Sequence, residues 1–478
     1  MDKKWQIFLL VAVSVFMSTL DSSIVNVALP YIMADLSEGM GGIQWVVTVY
    51  LLFVSAFLLT FGRLSDIAGR PRIYRVGFGV FTLGSFLCAS SSALEWLILS
   101  RAVQGLGASM LMACSPALIT DVFEPENRGR ALGLVGACVA AGLTLGPVTG
   151  GILLEYFSWP MIFFINIPVG VAALVCSWSV FDTKESVSGG SMDFAGSLFL
   201  IFMVSGMVIG LVRSPEWGFF SFRAMGCWIV GLGCGAGFIY HARRIAHPLI
   251  DPGLFKIRMF VFPLASAMIL FAALFTLIFM MPFYLSLVCG FSPTLTGLTM
   301  IVPFLVLLVI SPVSGALSDR LGSSELCLAG MGILALALAS AADLSPATGL
   351  YGISWRMAMA GLGTALFISP NSTAVMGAVP VLHRGIASGA LATARNLGMV
   401  IGVALASGIF TRTFIGLTQG LGLDRYTPEM SGFFMDGFKF TMAAGAGAAV
   451  LGVGVTLARG REPGSINQEI THKENKDE

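Results

Sequence analysis

The sequence predicts an all-α polytopic membrane protein: two pseudo-symmetric six-helix bundles with two further helices inserted between them, fourteen spans in all. Three observations predict it. The 478 residues are 56% hydrophobic and only 11% charged, whereas soluble domains carry about 25% charged residues. Fourteen apolar runs approach the length of about 20 residues that a spanning helix needs. Landmarks in the first half recur, in order, in the second.

The runs centre near Val15, Val54, Thr82, Met110, Leu143, Val171, Met203, Leu232, Ala273, Phe304, Ala335, Ala365, Gly398 and Ala448. Serine and glycine dilute the third and eleventh. Lys3 and Lys4 precede the first run, but no small-residue cleavage site closes it early, so it reads as a span and not as a leader. Orientation follows from the basic residues. With the amino terminus in the cytoplasm, alternate loops and both termini hold 19 of the 27 lysines and arginines, against 5 on the other side. Arg101, Arg356 and Arg395 remain within spans. An odd span count would scramble that asymmetry, so both ends are expected in the cytoplasm.

Repeats come next. GRLSDIAG at 62–69 recurs as GALSDRLG at 315–322, and NRGRALG at 127–133 as HRGIASG at 383–389. Gly142 and Gly146 match Gly398 and Gly402. Arg101, Gly105 and Gly107 are mirrored by Arg356, Gly361 and Gly363. Both copies run in the same direction, as parallel repeats do when an axis along the membrane normal relates them. The expected division is 1–182 for the first bundle, 183–255 for a linker carrying spans seven and eight, 256–461 for the second bundle, and 462–478 for a polar, disordered tail.

Composition also excludes. A net charge of +1 gives no reason for a nucleic-acid partner. The eight cysteines are scattered without a CxxC pair and read as small apolar residues. No metal cluster, catalytic triad or phosphate-binding loop is visible, so neither an enzyme nor a cofactor is expected, and ATP is not the expected energy source.

Asp21, in LDSSIVNVALP, is the one acid deep within a span. It lies about 25 Å of helix beyond Lys4, in the outer half of span one. A charge there costs several kcal/mol or more and normally faces a partner or a watery cavity. Desolvation favours the neutral form of a carboxyl, and a neighbouring guanidinium favours the charged form. A carboxylate balanced between those effects can load and release a proton. Arg101, about 7 Å inside the outer end of span four, can share that depth. Ser14, Ser18, Ser22 and Asn26 recur every four residues, a polar stripe beside Asp21. The bland alternatives are a hydrogen-bonded carboxylate at a helix kink and an arginine tying helix ends together.

Gly142, Gly146, Gly150 and Gly151 permit close helix approach, and Pro147 bends its helix and frees a carbonyl. Val403 stands where the second repeat would carry that proline, so the bend belongs to one half. Gly62, Asp66, Gly69 and Arg70, with Asp319 as the matching acid, read either as a latch or as a tight charged turn. Asn26, Tyr284, Arg356 and Asn371 are candidate cavity residues. With one deep acid, a dication is disfavoured, leaving lipophilic monocations or neutral amphiphiles as the expected substrates.

Two six-helix bundles with these motifs resemble the major facilitator superfamily. GRLSDIAGRPR at 62–72 is similar to its loop motif between helices two and three, LILSRAVQGLGAS at 97–109 to its helix-four motif, and GLTLGPVTGGIL at 142–153 to its antiporter motif. LDSSIVNVALP and SWPMIFFINIPVG resemble the fourteen-helix drug:proton antiporter branch, although Met161 departs from that branch's Trp-Arg-Trp. The resemblance covers essentially the whole chain before Arg461. It implies multidrug efflux driven by protons, a proton-transfer role for Arg101, and alternating access in a bacterial inner membrane. It also implies that span five helps close the cytoplasmic path at the seam between bundles, and that Asp66 caps span thirteen in the outward-open state. The expected partners are a small amphipathic substrate, protons and lipid, with a monomer as the default. An exporter of one physiological metabolite, lipid or peptide on the same scaffold is the alternative.

Overall fold

A computed structural model describes residues 2–181, 192–245, 248–380 and 383–460. The side chain of Asp319 and the tail 462–478 lie outside the described residues. The described residues form helices and no strand. That outcome follows from the solvent: in lipid, every backbone amide needs an internal partner, and a helix supplies one within its own segment.

The first half holds α1 (Lys3–Asp35), α2 (Met40–Ala68), α3 (Arg70–Ala89), α4 (Leu94–Val122), α5 (Pro125–Tyr156), the single turn α6 (Met161–Phe164) and α7 (Asn166–Val180). A pair follows, α8 (Phe194–Trp217) and α9 (Phe222–Ala242). The second half holds α10 (Arg258–Phe283), α11 (Pro293–Met300), α12 (Val302–Leu321), α13 (Ser323–Ala341), α14 (Leu350–Gly377), α15 (Arg384–Leu417) and α16 (Ser431–Ala458). Helices α1 and α16 have their outer ends, Lys3 and Ala458, on one face, here called the amino-terminal face.

Among the described residues, twelve helical stretches are long and apolar enough to cross a membrane. Helices α3 and α14 are not among them. The first opens on Arg70, Arg72 and Arg75, and the second carries Arg356 and the polar run Ser369 to Thr373. Serine and glycine were expected to dilute the third and eleventh spans. The third, α3, does fall short, but the eleventh, α13, meets the criterion, and α14 falls short in its place.

Glycine sets the close helix crossings, and it does so twice. A Cβ on Gly107 would collide with the Phe81 backbone of α3, and one on Gly105 would lie 2.9 Å from the Tyr50 carbonyl oxygen of α2. In the second half, a Cβ on Gly363 would lie 2.6 Å from the Gly330 carbonyl oxygen of α13, and one on Gly361 would collide with the Pro303 carbonyl of α12. Gly142 and Gly146 press against Phe16, Thr19 and Ser23 of α1, as Gly398 and Gly402 press against Met268 and Ala272 of α10. Small residues at such crossings let backbones approach within van der Waals reach. The repeated sequence landmarks are therefore repeated contacts.

The two halves meet along α2 with α15 and α5 with α11. Helix α8 packs on α9 and also rests on α2 and α15. Far from the amino-terminal face, α5 and α11 interlock: a Cβ on Gly151 would lie 2.5 Å from the Pro293 carbonyl oxygen, and one on Gly297 would collide with that of Pro147. Toward the amino-terminal face α5 loses this cover. From Glu126 to Ala137 every residue of α5 except Ala131 and Val135 is exposed. Leu305, Leu308, Val309 and Val313 of α12 are exposed as well.

Candidate functional site

Asp21 sits on α1 with no exposed surface. Its Oδ2 accepts from Arg101 Nη1 at 2.5 Å. Its Oδ1 accepts from Gln104 Nε2 at 2.7 Å and Asn166 Nδ2 at 2.9 Å. Three helices of one half thus close on one carboxylate. Arg101 is 1% exposed and is held from several sides. Its Nε donates to the Val46 carbonyl at 3.0 Å, its Nη1 also reaches Gln104 Oε1 at 2.6 Å, and its guanidinium lies 4.2 Å from the Tyr50 ring centroid. Gln104 Nε2 donates further to Ser85 Oγ at 2.9 Å. A buried ion pair is tolerated only when its remaining donors and acceptors are met, and this network serves both carboxylate oxygens and the guanidinium Nε and Nη1.

Local sequence explains the convergence. Gln104 follows Arg101 by three residues and so shares its helix face. Asn166 opens α7 immediately after the turn α6. Gly105 and Gly107 bring α2 and α3 close to α4, which places Tyr50 and Ser85 beside the pair. Sequence reading singled out Asp21 and Arg101 and missed Gln104, Asn166, Ser85 and Tyr50. The available signals were the i, i+3 spacing for Gln104 and the lone amide in an apolar run for Asn166.

The polar stripe of α1 is mostly buried, with Ser22 partly accessible. Ser14 Oγ shares a hydrogen bond with the Tyr74 hydroxyl, and the Tyr50 hydroxyl donates to the Ser18 carbonyl at 3.2 Å. Ser22 donates to its own helix, and Asn26 Nδ2 donates to the Ser22 carbonyl at 3.0 Å while its buried Oδ1 has no partner.

The other expected cavity residues are dispersed. Tyr284 donates to the Ser345 carbonyl at 2.8 Å beside the Phe438 ring, remote from the Asp21 network. Arg356 donates to the carbonyls of Ser340 and Gly352 where α13 ends and α14 begins, so it ties helix ends. Asn371 is buried between α14 and α10, with Nδ2 donating to the Pro263 carbonyl at 3.1 Å and Oδ1 unpartnered.

The α5 motif has two sides. Gly142, Gly146 and Gly150 pack on α1 next to Asp21, whereas Gly151 and Pro147 meet α11 across the seam. That contact lies away from the amino-terminal face. Glu155 adds to it: its Oε2 accepts from the Thr294 amide at 3.2 Å, at the start of α11.

At the amino-terminal face, Arg70 joins Asp66 to Asp121 of α4, with Nη2 2.9 Å from Asp66 and Nη1 2.5 Å from Asp121. This triad ties α2, α3 and α4 of one half. Gly62 meets nothing within 4 Å, and Gly69 turns the chain at φ +94°. Gly322 turns at φ +86° at the matching place of the second half.

The family model described as Major Facilitator Superfamily matches residues 11–403. The chain is 36% identical to the riboflavin transporter RibZ of Clostridioides difficile, over 86% of this chain and 90% of that protein. It is 33% identical to the multidrug resistance protein Stp of Mycobacterium tuberculosis, over 87% and 77%. The tetracenomycin C resistance and export protein of Streptomyces glaucescens is 30% identical, over 84% and 75%. In fold, the chain matches a bacterial homologue of the human lysosomal transporter Spinster, in its inward-facing and unoccupied conformation, with a TM-score of 0.70, 16% identity and coverage of 96% and 97%. These relatives are transporters, not enzymes, and the chain belongs to the Major Facilitator Superfamily.

Proposed function

We propose that this protein is a proton-coupled antiporter that exports amphipathic compounds by alternating access. The observation that carries the reading is Asp21, fully buried and held by Arg101, Gln104 and Asn166. A carboxylate inside a membrane core is costly and normally marks an ion or substrate pathway. Proton uptake by Asp21 would free Arg101 and loosen α4 and α7 against α1. Because the glycines of α5 grip α1 at Thr19 and Ser23, that change is mechanically next to the seam. The charge split of 19 against 5 supports fourteen spans with both termini in the cytoplasm, and the repeated landmarks support the 1–182, 183–255 and 256–461 division; insertion in a bacterial inner membrane is part of the same reading. The similarity to Stp and to the tetracenomycin C exporter supports export of amphiphiles.

The test is substrate-triggered proton release from acid-loaded proteoliposomes, with native protein and Asp21→Asn side by side. Several amphiphiles should move protons through the native protein and none through the variant. Equal proton movement by well-inserted Asp21→Asn would overturn Asp21 as the carrier.

A second reading is favoured by one observation, the 36% identity to a riboflavin transporter. The protein then moves one metabolite with a planar polar ring. Riboflavin belongs in the same panel, and a response to it alone would put this narrow reading first.

A further inference from the structure

Of the three arginines placed within spans by the sequence, two have acceptors for two or more of their N–H donors. Arg101 holds Asp21, Gln104 and the Val46 carbonyl. Arg356 holds two helix-end carbonyls. Arg395 is different. It sits on α15, 11 residues past Arg384, or about 16 Å of helix, a third of the way along that helix. Its Nη2 donates to Ser372 Oγ of α14 at 2.6 Å, and its guanidinium lies 5.8 Å from the Phe271 ring centroid of α10. Among the described residues, no carboxylate pairs with it. Of the five N–H donors of a guanidinium, one has a protein acceptor. Arg395 is also partly accessible, together with Gly385, Ser388, Ala392 and Met399. These positions share one face of α15 and form a strip running inward from the amino-terminal face, the face where α5 is bare.

A permanent cation at membrane depth normally finds a partner in the bundle. Asp21 is the one deep acid and is already neutralised, so it offers no net charge to a cationic guest. We infer that Arg395 is a substrate-recognition residue, and that the preferred substrates are aromatic amphiphiles bearing an anionic or strongly accepting group such as a carboxylate, sulfonate or phenolate. The guanidinium supplies charge-assisted hydrogen bonds, and it is oriented by Ser372 and by the buried Phe271 ring beside it. This replaces the sequence-based expectation of lipophilic monocations and rests on the transport reading above.

The experiment uses two xanthene dyes of similar shape and opposite charge: fluorescein, an anion, and rhodamine 123, a cation whose carboxyl is esterified. Binding to the purified full chain is followed by fluorescence polarisation at equilibrium, without a proton gradient. Native protein should prefer fluorescein, and Arg395→Gln should weaken fluorescein about tenfold while leaving rhodamine 123 within about twofold. Tighter binding of rhodamine 123 by native protein, or equal weakening of both dyes in Arg395→Gln, overturns the inference. Should Arg395→Gln not yield folded protein, the native preference and Arg395→Lys decide: the lysine variant keeps an anion preference if the charge is what binds. Anion preference without substrate-triggered proton movement would sink the antiport reading alone, and proton movement with cation preference would sink this one alone.

Discussion

Asp21 and Arg101 depend on each other, because each is buried and each would be a bare charge without its partner. Removing one member of a buried pair costs about 3–5 kcal/mol. Arg101→Met should therefore give little monodisperse protein and a markedly lower thermal midpoint. The double variant Asp21→Asn with Arg101→Met should regain folding, since no charge is left stranded, yet still fail to move protons. If Arg101→Met alone is as stable as native protein, the pair is not the network described. At this scale the sequence was legible wherever a residue type was out of place. One acid and one arginine in apolar spans announce themselves. Gln104 and Asn166 did not, since amides are ordinary in membrane helices, and the α6–α7 break that aims Asn166 at Asp21 leaves no compositional mark. Arg395 was visible as a charge, but only packing reveals that no carboxylate among the described residues pairs with it.

Between helices, the stabilising unit is a glycine facing a backbone. Overpacking such a contact costs about 1–3 kcal/mol. Gly107→Ala and Gly363→Ala should each lower the thermal midpoint in detergent, because each new methyl meets backbone of α3 or α13. Gly133→Ala, which meets nothing within 4 Å, should leave it unchanged or slightly raised. Gly69→Ala should also destabilise, for a separate reason: φ +94° is disfavoured for any residue with a Cβ. Equal thermal midpoints for Gly107→Ala and Gly133→Ala would show that the α3–α4 crossing relaxes freely. The repeated glycines were readable in the sequence as landmarks. Their targets were not, because nothing in GLTLGPVTGGIL says that Gly146 meets α1 while Gly151 meets α11. Span strength was misjudged at α14, where Arg356 and the run Ser369 to Thr373 lower the hydropathy; their partners, such as Pro263 of α10 for Asn371 and Arg395 of α15 for Ser372, leave no mark in the sequence.

For the whole molecule, α5 and α11 interlock far from the amino-terminal face, while α5 is bare near it. A carboxylate at a helix amino terminus is stabilising by about 0.3–1 kcal/mol, so Glu155 at the start of α11 biases this arrangement modestly. Glu155→Gln should shift the population a few-fold toward the opposite arrangement. In hydrogen-exchange mass spectrometry, uptake should rise around residues 150–156 and 293–297 and fall across 126–137. Unchanged uptake in both regions would remove Glu155 from the latch. The bare stretch of α5 from Glu126 to Ala137 has a pharmacological consequence. In any arrangement that closes α5 on α12 near the amino-terminal face, this stretch is covered. A rigid compound wedged against it would act as a doorstop, halting the cycle without resembling any cargo. Its potency would fall in Glu155→Gln, where the site it needs is less often present.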